Sequence, residues 1–225
     1  LPLADWLFRA EAICPLCERA FSLLRVRYSR LTVVRRDEDF CTHYREGNPY
    51  RYWVWVCSHC GYASPETSFS SPWRPESLRS LLQGKRPAVD FSGERSFELA
   101  LASFKLALFQ AERVFAPYSQ RAGLSLRAAW LLRVEGRGRE EEIPFLRLAR
   151  EGYLLALDRE KFPVGKMTEE TVRYMIGELS LRLGEAREAM GWFSRLAESR
   201  DGDPKLRNMA REGWRRAREA LEGAG

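Results

Sequence analysis

Two kinds of hydrophobic spacing divide the chain. In the first third, apolar side chains alternate with polar ones or stand in short blocks. "FSLLRVRYSRLTVVRR" (residues 21–36) and "YRYWVWV" (50–56) have the β-branched and aromatic content of strands. From Ser92 onward the spacing is helical. Phe97, Leu101, Phe104 and Leu108 recur every three or four residues within 94–114, and Pro117 ends that run. Helical spacing resumes over 119–135 and stops at "GRGR"; the next segment opens on Glu140–Glu142, acids that suit a solvated helix N-terminus. Thr168 reads as an N-cap, Gly184 as a break, and Asp203–Pro204 as a cap followed by proline in the first turn. Between the two regimes lies Ser-, Pro- and Gly-rich sequence with one short helix near Pro75 to Leu82. The expected organisation is a small β-rich module over 1–65, a linker over 66–91 and an all-α domain over 92–225. The fold class is therefore α+β.

The helices contain a weak repeat. Ala100, Phe104 and Ala107 recur in spacing as Ala149, Tyr153 and Ala156, and again as Ala189, Phe193 and Leu196. A small residue lets a neighbouring helix approach and the aromatic ring fills the gap. This is the spacing of the second helix of a tetratricopeptide (TPR) unit. Gly177 and Gly184 stand where the small residue of the first helix and the turn belong. An irregular bundle with small residues at its crossings is the competing reading; a TPR-like stack is the expectation.

All five cysteines and both histidines precede residue 61. Cys14 and Cys17 form "CPLC", and Cys57 and Cys60 form "CSHC". Two C-x-x-C loops can each aim two sulfurs at one ion, and Zn²⁺ favours a tetrahedral thiolate set. The interval of residues 18–56 exceeds the usual roughly 15–20, but a β-hairpin insert accommodates it, as in zinc-ribbon-like modules. Four protein ligands leave no open position, so the expected ion is one structural zinc per chain. A four-thiolate iron site has the same ligands. A disulfide framework sits poorly with an odd cysteine and no signal peptide, and a thioredoxin-type pair would need a strand-to-helix junction. Cys41 reads as a small partly buried thiol, His43 as a polar loop residue, and His59 as a side chain free of the metal.

Charge adds little. The net charge is +6, with 37 Lys and Arg, nearly all Arg, spread along 225 residues. No apolar run approaches the roughly 18 residues that span a bilayer, and "LPLADWLFRAEAICPLC" lacks the form of a signal peptide. No membrane partner is expected, and the expected location is cytoplasmic. Neither histidine sits where a nucleophile needs one, and no phosphate-binding glycine loop occurs, so no catalytic activity is expected. Two binding roles remain. One is a protein-interaction adaptor whose partner lies in the TPR-like groove. The alternative is a nucleic-acid binder, with Arg25, Arg27, Arg30, Arg35 and Arg36 on phosphates and Tyr52, Trp53 or Trp55 stacked on bases.

The order of "CPLC", "RDEDFC", "NPYRYWVWVCSHCGYAS", "FSGERSFELALASFKLAL", "FPVGKMTEETVRYMIGELSLRLGEAREAMGWFS" and "MAREGW" resembles a bacterial family catalogued as a domain of unknown function. That family joins an N-terminal C-x-x-C…C-x-x-CGY module to a TPR-like half. The resemblance implies a cytoplasmic bacterial protein with Cys14, Cys17, Cys57 and Cys60 as ligands, and it brings no catalytic residue.

Overall fold

Both C-x-x-C loops are the tips of hairpins. In the computed structural model, which describes residues 3–199 and 202–223, strand β1 (Leu7–Ile13) pairs antiparallel with β2 (Ala20–Val26), from Leu7 opposite Val26 to Ile13 opposite Ala20. Strand β5 (Val54–Val56) pairs with β6 (Ala63–Pro65) in the same way. Between these two hairpins lies a third, β3 (Val33–Arg36) with β4 (Thr42–Tyr44), whose register shifts between Val33 and Arg35. Seven helices follow among the described residues: α1 (Pro75–Leu82), α2 (Phe97–Arg113), α3 (Tyr118–Val134), α4 (Arg139–Arg159), α5 (Glu169–Arg182), α6 (Ala186–Ala197) and α7 (Pro204–Glu222). The fold is α+β, β-hairpins first and helices after.

Three local outcomes differ from the sequence pattern. Strand β1 precedes the first cysteine loop. Its alternation, Phe8-Arg9-Ala10-Glu11-Ala12, is carried by alanine and is correspondingly faint. "YRYWVWV" is strand only over Val54–Val56. Asn48 accepts a hydrogen bond from the Tyr50 amide and caps a tight 3-10 turn over Pro49–Tyr52, so Asn-Pro turn chemistry overrides the β propensity of the aromatics. Glu142, read as part of a solvated acidic start, is buried on α4.

The chain forms two contact units. The first comprises residues up to Arg36, Thr42–Ala116 and Arg127–Gly138. Leu78 and Leu82 of α1 bury beside Phe21, Tyr62 and Phe69 around the cysteine loops. Helix α2 belongs to this unit. The Gln110 amide donates to the Gly61 carbonyl at 2.7 Å and accepts from the Ala63 amide at 3.0 Å, so one buried side chain mimics a strand neighbour for β6. Trp53 stacks on Phe104, ring centroids 5.9 Å apart and planes within 8°. Arg51 and Asn48 both donate to Glu135. Arg95, 3% exposed, donates to the carbonyls of Phe91, Arg51 and Val54. Burial pulls its pKa down to about 10, and these carbonyls, rather than a carboxylate, satisfy the charge.

The second unit comprises Asp37–Cys41, Pro117–Leu126 and the chain from Arg139 on. Its core uses the repeated small and aromatic positions. Ala149, Tyr153, Ala156, Ala189, Phe193 and Leu196 are all buried. Thr168 accepts from the Thr171 amide and Asp203 from the Lys205 amide, so both expected N-caps form. Gly184 turns the chain at φ +85°. The segment Asp37–Cys41 inserts an acidic turn among these helices. Tyr174 donates to the Glu38 carbonyl at 3.1 Å, Phe40 packs on the Tyr174 ring, and Asp39 lies 3.4 Å from Arg182. No helix among the described residues is long and apolar enough to cross a membrane.

Candidate metal centre

The two cysteine loops are copies of one turn. The Cys14 amide donates to the Arg19 carbonyl, and the Glu18 amide donates back to the Cys14 carbonyl. In the second loop the Cys57 amide donates to Tyr62, and the Gly61 amide to Cys57, at the same offsets. Each turn closes through one left-handed residue, Glu18 (φ +59°) in the first and Gly61 (φ +74°) in the second. A loop closed this way aims both of its sulfurs at one point. The hairpins then bring the two points together.

The sulfurs of Cys14, Cys17, Cys57 and Cys60 all lie within 4.8 Å of one another. Cys14 Sγ is 3.6 Å from Cys60 Sγ, and Cys17 Sγ is 3.7 Å from Cys57 Sγ. All four are free thiols, too far apart for S–S bonds. A tetrahedron with Zn–S bonds of about 2.3 Å has edges of about 3.8 Å, so these separations fit a four-sulfur metal site. Cys14 and Cys57 are fully buried, whereas Cys17 and Cys60 keep a solvent-facing edge.

Electrostatics favours a cation here. Hydrogen bonds from Cys14 and Cys60 pull the Cys57 thiol down to about 2. The Cys57 interaction pushes the Cys14 thiol up to about 11, and the Cys14 interaction raises Cys60 as well. One thiolate is stabilised by its neighbours' S–H groups, and its charge then opposes the next ionisation. A divalent ion removes that opposition.

All four cysteines singled out by spacing are thus brought together. Cys41 is fully buried, more so than its loop context suggested, and its amide donates to the Asp39 carboxylate. His59 is half-buried, its Nε2 within 2.9 Å of the Ala20 carbonyl, so the ring braces β2. Sequence spacing gave no sign of Arg79. It donates to the carbonyls of Leu16 and Pro15 at 3.2 and 3.3 Å and backs the first loop from helix α1. A partner 63 positions away leaves no periodic trace.

These features define an α+β protein with a four-cysteine module able to hold a metal ion. The model of the family described as "Uncharacterized protein conserved in bacteria (DUF2225)" matches residues 7–217, and the chain belongs to that family. No curated protein and no solved structure matches the chain.

Proposed function

We propose that Cys14, Cys17, Cys57 and Cys60 hold one structural Zn²⁺ per chain, and that the protein is a cytoplasmic, non-catalytic adaptor that binds another protein through its TPR-like helices. The meeting of four sulfurs from two hairpin tips carries the metal reading. An all-thiolate set favours zinc among abundant divalent ions, and four protein ligands suit a structural role. The module's core is small, and the ion substitutes for apolar burial.

The adaptor reading is supported by the repeated Ala–aromatic positions, every one of them buried. In the second unit a groove of about 710 Å³ is lined by Tyr174, Asn208, Met209, Arg211 and Arg215. The side chains that nucleic acid would use are largely committed elsewhere. Arg25 pairs with Glu66, Arg27 donates to the carbonyls of Asp5 and Leu7, Tyr52 is buried, and Trp53 lies between Phe104 and Arg127. This favours protein over nucleic acid.

Elemental analysis of protein purified without added metal is expected to give one zinc per chain. Iron in its place overturns the zinc assignment, and the absence of any metal overturns the site. For the groove, wild-type protein and Arg211→Glu/Arg215→Glu are compared in affinity capture from bacterial lysate. A partner protein is expected with the wild type and not with the variant. Identical captures, or nucleic acid bound with steep salt dependence, count against the adaptor reading.

A further inference from the structure

We propose that Cys17 and Cys60 form a modification site for small oxidants of the peroxide class, with the buried Cys14 and Cys57 as resolving sulfurs. The proposal rests on the four-sulfur metal reading and adds a reactivity to it. A pocket of about 470 Å³ opens over the site, and Cys17 and Cys60 are the two cysteines that line it. Cys14 and Cys57 have no exposed surface. A solute therefore meets one sulfur from each loop first.

The walls of this pocket suit the chemistry. Arg19, His59, Arg79 and Lys85 line it, and no carboxylate does. Arg79 is fixed by its bonds to the Leu16 and Pro15 carbonyls. Arg19 and Lys85 are exposed, and neither has a carboxylate partner among the described residues. Sulfurs that ligate a metal ion are deprotonated, so in the metal-loaded protein Cys17 and Cys60 would meet a solute as thiolates, the nucleophilic form. Arg19, Arg79 and Lys85 stabilise the hydroxide that leaves when a peroxide bond breaks.

The reaction balances within the site. A Cys60 thiolate attacks one peroxide oxygen. An S–O bond forms, the O–O bond breaks, and the departing hydroxide takes up a proton to become water. The Cys14 thiolate, 3.6 Å away, then attacks the Cys60 sulfur. An S–S bond forms, the S–O bond breaks, and a second hydroxide is protonated. Two thiolates lose two electrons, one peroxide gains them, and two protons are consumed. Cys17 with Cys57, 3.7 Å apart, offers the equivalent route. Either disulfide joins the two loops rather than closing one, and it removes two of the four ligands, so the ion is released.

The test uses the full-length protein with its metal content measured beforehand. Hydrogen peroxide is added in steps, release is followed with a chromophoric chelator, and disulfides are mapped by mass spectrometry after alkylation. The first disulfide is expected to be Cys14–Cys60 or Cys17–Cys57, formed in step with ion release and reversed by reductant plus Zn²⁺. Arg19→Glu with Lys85→Glu changes only exposed side chains. This variant is expected to retain its metal but release it about threefold or more slowly. Disulfides confined to Cys14–Cys17 and Cys57–Cys60, or a charge-reversed variant as fast as wild type, overturn the proposal. Protein that carries no metal overturns the metal reading alone. The free thiols are then expected to give the same cross-loop disulfides, and within-loop pairing again overturns the site.

Discussion

Glu18 and Gly61 hold the same place in two copies of one turn, yet only one of them is suited to it. A left-handed backbone costs a residue with a Cβ about 1 kcal/mol or more relative to glycine. Glu18→Gly is therefore expected to raise the stability of the first unit by about 1 kcal/mol without changing its metal content, as read from melting temperature with and without chelator. Gly61→Ala is expected to do the reverse. A Cβ there meets nothing closer than 3.7 Å, so the loss would come from backbone strain alone. The cysteines obey a sharper rule. Cys57→Ser removes one sulfur of the four-sulfur set and, on the zinc reading proposed above, is expected to abolish metal binding or unfold the module. Cys41→Ser lies outside the four-sulfur set and is expected to keep the metal; loss of metal from Cys41→Ser would mean that the ligands are misassigned. The four cysteines are legible in "CPLC" and "CSHC" by their spacing, whereas the left-handed role of Gly61 emerges only from the structure. Glu18 is not legible, since nothing in its side chain announces the strain it bears.

Phe193 on α6 shows what the repeated spacing does between elements. A Cβ at Gly177 of α5 would come within 2.8 Å of its ring, and one at Gly213 of α7 within 2.6 Å. Two helices approach the same phenyl, and each does so through a glycine. Gly177→Ala is expected to cost about 1–3 kcal/mol by overpacking, and a second substitution, Phe193→Leu, is expected to recover part of it. Thermal unfolding of the four proteins of that cycle measures the coupling. Additive effects would show that the ring and the glycine do not meet. The small–aromatic spacing in three helices was readable beforehand, as were both N-caps, because helix periodicity and capping are local. The partnership of Gly213 with Phe193 was not. It depends on how α7 lies against α6, and residue spacing within one helix carries no such information. The same holds for Gln110, an ordinary polar residue in the pattern of α2 that the structure buries against β6.

At the scale of the whole molecule, sequence periodicity marks where strand gives way to helix but not which elements share a unit. The boundary is set by side chains such as Gln110 and Phe104, which tie α2 to the hairpins, and by Asp39 and Phe40, which place an acidic turn among the C-terminal helices. Each unit also buries a tyrosine that links its stability to alkaline pH. Desolvation pushes the Tyr62 phenol in the first unit up to about 12 from its ordinary 10, and desolvation likewise raises Tyr174 in the second. The unfolded chain gives up these protons near pH 10, whereas the folded chain holds the Tyr62 proton until about 12. The neutral phenols therefore contribute full stability below pH 10, and that contribution is lost as pH rises through the folded pKa. For Tyr62, 3% exposed, a shift of about two pH units corresponds to about 3 kcal/mol. Both units are expected to unfold in strong alkali, in step with phenolate absorbance. The second unit contains none of the four clustered cysteines, so added Zn²⁺ is expected to leave its alkaline unfolding unchanged. Tyr62→Phe and Tyr174→Phe keep the rings and remove the titrating groups, so each is expected to extend the stable range of its own unit upward in pH. Alkaline unfolding curves that Tyr62→Phe and Tyr174→Phe leave unshifted would show that these phenols ionise without opening the fold.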